Sequence, residues 1–281
     1  MAREPMLLLL DNGSLEPAAT LNLRRLANGV SACLARTVHP VSLLHSHKVP
    51  ATELEGQPAE ILIPFLRRQL SAGREDFIII PLFFGPSGAI ADYVPEKIAE
   101  LRLTHPALRV KIAPCLVPIP EKPDARIIQI LADNLLPLLR TCSTPPKVVL
   151  VDHGSPKPLV TSVRDALALN LANHLGTRVT SVRPASMERR PEPEYDFNNP
   201  LLEKLLEDPL FASGEIMVSL LFLSPGRHAG PGGDIDRICE TAMAKNPRLH
   251  TTMTPLVGSH PLLIKILADR ARQALEQEQI P

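Results

Sequence analysis

The sequence predicts an α/β fold built twice: two similar lobes, each a parallel sheet flanked by helices, related by a pseudo-twofold duplication. Three observations predict it. First, the motif D-x-G-S-x-x-P occurs twice, in LLLLDNGSLEP (Leu7 to Pro17) and in VVLVDHGSPKP (Val148 to Pro158). Second, three further anchors repeat in the same order: Pro58 with Pro200, Pro86 with Pro225, and QILADN (Gln129 to Asn134) with KILADR (Lys265 to Arg270). Offsets between partners drift only from 142 to 136, and a unit this long is a domain rather than a solenoid repeat. Third, apolar runs of strand length alternate with segments of helical spacing, the signature of a parallel sheet with right-handed crossovers.

Taken in order along the second copy, Val148 to Asp152 is an apolar run with the look of a strand covered on both faces. Leu159 to Leu175 follows with Val163, Leu167, Leu171 and Leu175 on one helical face, and Gly176 stops it. Arg178 to Val182 reads as a short strand, Leu201 to Leu206 as a helix, Ile216 to Leu223 as a strand and Ile235 to Ala244 as a helix. The polar, proline-bearing TCSTPPK (Thr141 to Lys147) marks the expected boundary, giving lobes 1–141 and 142–281 that face each other across a cleft. Ser14 and Ser155 are expected to cap the helices that follow them.

Composition bounds the rest. The chain has 281 residues, 44% hydrophobic, with 30 basic and 30 acidic side chains. That suits a soluble globular protein, and the balanced charge argues against a nucleic-acid binder held by a general positive field. No apolar run reaches the roughly 18–20 residues of a membrane span. The apolar stretch Met6 to Leu10 is shorter than a signal-peptide core of about 7–15 residues and reads as a first strand. Cys33, Cys115, Cys142 and Cys239 form no C-x-x-C pair, so reduced thiols in a cytoplasmic protein are expected.

Chemistry in open α/β sheets gathers beyond the carboxyl ends of strands. Two such ends in the second half carry a histidine: His153 after VVLVD and His228 in SPGRHAGPGGD after IMVSLLFL. The first-half counterparts are Asn12 and Ala89. A lone histidine is usually structural, but two at strand ends of one lobe point to a metal. Neutral imidazole suits Co²⁺, Ni²⁺, Fe²⁺ or Zn²⁺, and two ligands leave coordination positions open, unlike a closed structural site. Glu188 and Asp234 are candidate proton acceptors. Arg183, Arg189, Arg190 and Arg227 are candidate partners for carboxylates of a ligand. His45 and His47 read as solvated, and His260 as packed or capping. Gly226 to Gly233 match neither phosphate-loop nor dinucleotide spacing.

H-G-S after a first strand, P-G-x-H after a later one, and PLVGSHPLL before a helix together resemble the sirohydrochlorin chelatase family, the cobalt- and iron-inserting enzymes of cobalamin and siroheme synthesis. The resemblance covers nearly the whole chain. It is strongest at Val148 to Pro158, Met187 to Pro200, Leu220 to Ile235 and Pro255 to Arg270, and it is to the long, fused form. It implies a chelatase-like fold, a divalent metal (Co²⁺, Fe²⁺ or Ni²⁺) taken as substrate with no organic cofactor, and a tetrapyrrole partner. It further implies metal binding by His153 and His228, with catalysis by these two and Glu188. Asn12, Ser87, Arg189, Arg190 and Arg227 are then expected to bind substrate, in a monomer whose halves mimic a homodimer, with no nucleic-acid or membrane partner. A histidine phosphatase would need Arg before its histidine, where this chain has Asp152. A tetrapyrrole or metal carrier that keeps the fold without turnover stands as the alternative.

Overall fold

The tetraleucine run becomes a central strand because both of its faces are covered: Leu7 to Leu10 and, in the second copy, Val148 to Val151 are all buried. β1 (Met6–Asp11) lies between β2 (Val38–Ser42) and β3 (Asp76–Pro81), with β4 (Arg109–Ile112) beyond β3, all parallel. The second copy repeats this with β5 (Lys147–Asp152) between β6 (Ser181–Ser186) and β7 (Gly214–Leu220), and β8 (Leu249–Met253) outside. Leu7 stands opposite Val38 and Ile78, and Val148 opposite Val182 and Met217, so the register is shared. Proline sits in β2 and β6 (Pro40 and Pro184), which are edge strands where a missing N–H costs no ladder bond. The computed structural model of the chain describes residues 4–276; the outermost residues of both expected lobes, 1–3 and 277–281, lie outside them. Among the described residues, no helix is long and apolar enough to cross a membrane.

The helices repeat as well: α1 (Pro17–Leu34), α2 (Leu62–Ser71), α3 (Val94–Thr104) and α4 (Ala125–Leu139) in the first copy, and α5 (Pro158–Leu175), α6 (Leu202–Leu205), α7 (Asp234–Lys245) and α8 (Leu262–Glu276) in the second. α1 (Pro17–Leu34) and α5 (Pro158–Leu175) each open on proline, which is pre-set for the first helical turn. α5 buries Val163, Leu167, Leu171 and Leu175, the face its spacing predicts. The serines before them do not cap. Ser14 Oγ accepts the Glu16 N–H at 3.0 Å and Ser155 Oγ accepts the Lys157 N–H at 3.1 Å, so each closes a tight turn ahead of its helix instead. The residues that do cap, Glu16 and Lys157, stand directly before the prolines and contribute no side-chain bond. The run Arg178 to Val182 is displaced as well: Gly176–Arg178 is a short 3₁₀ turn, and the strand starts at Ser181. β7 ends at Leu220 rather than Leu223.

The final helix of each copy departs from the expected lobes. α4 (Ala125–Leu139) packs on α5 and β7, and α8 (Leu262–Glu276) packs on α1 and β3. The described residues up to Pro118 and from Pro261 onward therefore form one unit, and Ile119–His260 the other, rather than 1–141 and 142–281. Side chains explain both allegiances. α4 buries Ile127, Ile130, Leu131 and Leu135, and Asn134 donates to the Pro255 carbonyl at 3.1 Å. Arg270 of α8 is buried and donates to the carbonyls of Cys115 (3.1 Å) and Leu116 (2.9 Å). Gly29 of α1 leaves room for Ile264, whose Cδ1 would lie 2.5 Å from an added Cβ. The segment from Thr141 to Pro146 is thus a loop inside a unit, and Lys147 already begins β5.

Asp11 closes β1 and is buried; desolvation pushes its carboxyl up to about 6, against hydrogen bonds from Ser42 and the Gly13 N–H that lower it. A carboxyl raised in the folded state stabilises the fold when protonated, and that contribution fades as pH rises from near 4 through about 6. At about 1.4 kcal/mol per pH unit of displacement, the effect is on the order of 2–3 kcal/mol. Asp11→Asn keeps an acceptor for Gly13 and carries no charge. Urea unfolding of the parent chain is expected to show lower stability at pH 7.5 than at pH 5 from this group, and the variant is expected to lose that slope. An unchanged slope in the variant would refute the assignment.

Candidate functional site

Strand pairing continues past the ends of β5 and β6 and sets the first half of the site. The Met187 N–H donates to the Asp152 carbonyl at 2.8 Å and the Glu188 N–H to the His153 carbonyl at 3.1 Å. His153 and Glu188 are thereby neighbours at two adjacent strand ends. Gly154 permits this: its φ is +93°, and a Cβ there would fall 2.0 Å from the Glu188 carbonyl oxygen. His153 Nε2 lies 3.4 Å from Glu188 Oε1, and both side chains are open to solvent.

The second half is built after β7. The Arg227 carbonyl accepts from the Asp234 N–H (3.1 Å) and the His228 carbonyl from the Ile235 N–H (3.2 Å), tying the loop to the start of α7 (Asp234–Lys245). Gly233 lets three loop carbonyls approach; each would lie 3.0 Å from a Cβ at that position. Asp234 occupies the first helical position, where a carboxylate meets the positive end of the helix dipole. Its Oδ2 is 2.7 Å from His228 Nδ1. That hydrogen bond first, then the nearby Arg227, His228 and Arg237, hold its carboxyl below the ordinary range.

The two imidazoles meet. Their ring centroids are 4.7 Å apart with planes at 73°, edge to face. Each Nδ1 faces a group that only accepts: the Gly154 carbonyl at 3.1 Å for His153, the Asp234 carboxylate for His228. The neutral His228 ring therefore carries hydrogen on Nδ1 and keeps its Nε2 lone pair for a metal, whereas His153 meets an acceptor at each nitrogen, the Gly154 carbonyl at Nδ1 and Glu188 Oε1 at Nε2. Among the described residues, no set of three or more His, Cys, Asp or Glu side chains is arranged to hold a metal ion, so the pair remains an open site. The buried thiols add nothing, since burial pushes Cys115 and Cys239 up to about 11.

Beneath the site lies a polar cluster that sequence reasoning missed. Arg164 of α5 is almost wholly buried and donates to Ser186 Oγ (2.5 Å) and to the Asn198 carbonyl (2.8 Å); Ser186 donates to Asp152 Oδ1 at 2.6 Å. Desolvation holds the Asp152 carboxyl above its ordinary value, with the Ser186 hydrogen bond and Arg164 opposing. Asn198 accepts from the Ser155 N–H at 2.9 Å and donates to the Ser155 carbonyl at 2.9 Å, clamping the loop that carries His153. The available signal was position: Arg164 interrupts the apolar face of α5, and Leu23 takes its place in α1.

The remaining candidates fare unequally. Arg189 is taken up by its own loop, 2.8 Å from Asp196 Oδ1 and bonded to the carbonyls of Arg190, Pro191 and Glu192. Arg190 lies over Tyr195 at 5.3 Å and bonds its hydroxyl. Arg227 is the open one: its side chain is 84% exposed, with Nε 3.5 Å from Asp234. Asn12 and Ser87 belong to the other unit, after β1 and β3; Asn12 is exposed, and Ser87 Oγ is enclosed without a hydrogen bond. In that unit Leu44 pairs with the Asn12 carbonyl as Glu188 pairs with His153, so the carboxylate is missing there along with both imidazoles. His260 packs against α4, 3.3 Å from Asp133.

The chain is thus a duplicated parallel α/β protein with paired imidazoles at the strand ends of one copy, and its fold is chelatase-like. Residues 147–274, the segment that holds both histidines, match the model of the CbiX family, the sirohydrochlorin chelatase family. The fold is similar to that of SirB from Bacillus subtilis, solved with Fe³⁺: the TM-score is 0.69 over 98% of this chain and 96% of that one, at 17% identity. No curated protein matches the sequence. The class of activity these matches support is tetrapyrrole metal chelation.

Proposed function

We propose that the chain inserts a divalent metal ion, Co²⁺ or Fe²⁺ with Ni²⁺ also open, into sirohydrochlorin or a related tetrapyrrole of cobalamin or siroheme synthesis, acting as a cytoplasmic monomer. The observation that carries this reading is the pair of imidazoles in contact at the ends of β5 and β7, with His228 Nε2 left for a metal and His153 Nε2 beside the Glu188 carboxylate. Insertion exchanges two pyrrole N–H protons for one M²⁺. Three tasks follow: partial stripping of the hydrated ion, bending of the ring, and removal of two protons. His153 and His228 take the ion and replace part of its water shell. Glu188, exposed beside His153, accepts a pyrrole proton as general base, or passes it to solvent. Arg227, with its guanidinium open, pairs with a peripheral carboxylate of the macrocycle. Arg189 and Arg190 support this part less, because loop carbonyls, Asp196 and Tyr195 already engage them.

The test is a turnover assay: purified chain, excess sirohydrochlorin, and Co²⁺, Fe²⁺ or Ni²⁺ in separate runs, followed by absorption. Metallated product is expected to exceed protein many-fold with at least one ion. A shift that stops at one equivalent would make the chain a carrier, and no shift with any ion would remove the reading altogether.

A further inference from the structure

The two imidazoles are not equivalent. His153 Nδ1 meets a neutral backbone carbonyl, that of its own neighbour Gly154, at 3.1 Å. His228 Nδ1 meets a carboxylate oxygen, Asp234 Oδ2, at 2.7 Å. A hydrogen bond to a charged acceptor is shorter and about twice as strong as one to a neutral acceptor. It fixes the tautomer, locks the ring, and makes the opposite nitrogen a better donor.

Asp234 is itself held. It begins α7, its N–H is bonded to the Arg227 carbonyl, and Arg227 Nε (3.5 Å) and Arg237 Nη1 (3.7 Å) flank its two oxygens. Gly233, which precedes it, has no Cβ to push the His228 carbonyl away. The carboxylate thus reaches His228 from a helix end rather than from a mobile loop. His153 has no such support, and its Nε2 is shared with the Glu188 carboxylate 3.4 Å away.

We infer that Asp234 is a positioning residue that commits His228 Nε2 to the metal, making His228 the anchoring ligand and His153 the ligand that lets go. The inference rests on the proposed metal site and deepens it by giving the two ligands different parts: the ion stays on His228 while His153, next to an exposed carboxylate, is the contact given up as ring nitrogens arrive.

Co²⁺ titration without tetrapyrrole tests it, in the full chain and in Asp234→Asn, Asp234→Ala, His153→Ala and His228→Ala, with ¹⁵N-histidine spectra read in parallel. Removing an outer partner of a ligating histidine typically costs about 10–100-fold in metal affinity. Both Asp234 variants are expected to fall in that range with circular dichroism and melting unchanged, and in Asp234→Ala, which has no acceptor left, His228 should lose its Nδ1–H signature while His153 keeps its own. His228→Ala should weaken Co²⁺ more than His153→Ala does. Parent-like affinity in both Asp234 variants, together with an unchanged His228 tautomer in Asp234→Ala, would overturn the positioning role. Equal losses in the two histidine variants would overturn the division of parts. A parent chain that fails to bind Co²⁺ would instead sink the metal site itself, and this inference with it.

Discussion

Alanine at His153 or at His228 is expected to abolish metal insertion and leave the fold standing. In the proposed site each ring supplies one of two nitrogen donors, so either variant would offer the ion a single imidazole. Losing an outer-sphere partner commonly costs about 10–100-fold, and losing a ligand should cost more, on the order of 10²-fold or beyond in insertion rate. Stability should barely move. The side chains are 46% and 33% exposed, and neither ring fills a core cavity; substitutions at such positions usually stay within about 0.5 kcal/mol. The measurement is initial insertion rate at saturating tetrapyrrole beside urea midpoints for each variant. Insertion at the parent rate by either variant would show that the assigned ligand is not one.

How much of this was legible beforehand follows from the range of the interactions involved. Strand and helix order in each copy came through because it is written locally, in the apolar runs Leu7 to Leu10 and Val148 to Val151 and in the spacing of Val163, Leu167 and Leu171. The two histidines were legible for a related reason. Parallel strands of one sheet end on one edge, so two imidazoles placed just after strands fall near each other, and adjacent ends of β5 and β7 bring them into contact. The unit boundary was not legible, because α4 and α8 look like ordinary closing helices of their own copies. Which sheet they cover depends on contacts such as Arg270 with the Cys115 and Leu116 carbonyls, across more than 150 positions. The contacts within the arginine-rich loop were not legible: charge density marks Arg189 and Arg190 as candidates, but their bonds to loop carbonyls, Asp196 and Tyr195 depend on how the loop folds back on itself.

Arg164→Leu puts the buried cluster to the test, and the chain supplies its own control. In the first repeat the same helix position is Leu23, and there Ser46 Oγ accepts the Ser14 N–H and donates to Ser42, so no guanidinium is required. In the second repeat Ser186, the Asn198 carbonyl and Asp152 all depend on Arg164, and leucine would leave a buried carboxylate with no cation near it. Breaking a buried pair by removing one partner costs about 3–5 kcal/mol. A drop of that size in urea-unfolding free energy is expected at pH 7.5. The sign of its pH dependence follows from Asp152, whose carboxyl burial already holds above its ordinary value. Without Arg164 it rises further, so the penalty should deepen as pH increases and shrink in acid, where the group is protonated. Adding Asp152→Asn removes the stranded charge and should recover part of the loss, a coupling on the order of 1–3 kcal/mol by double-mutant cycle. Additive effects, or a single-variant loss below about 1 kcal/mol, would mean that Asp152 does not rely on the guanidinium. Because Asn198 also clamps the Ser155 backbone next to His153, the leucine variant should bind Co²⁺ more weakly even where it remains folded. That separates a supporting shell which shapes the site from one that only fills space beneath it.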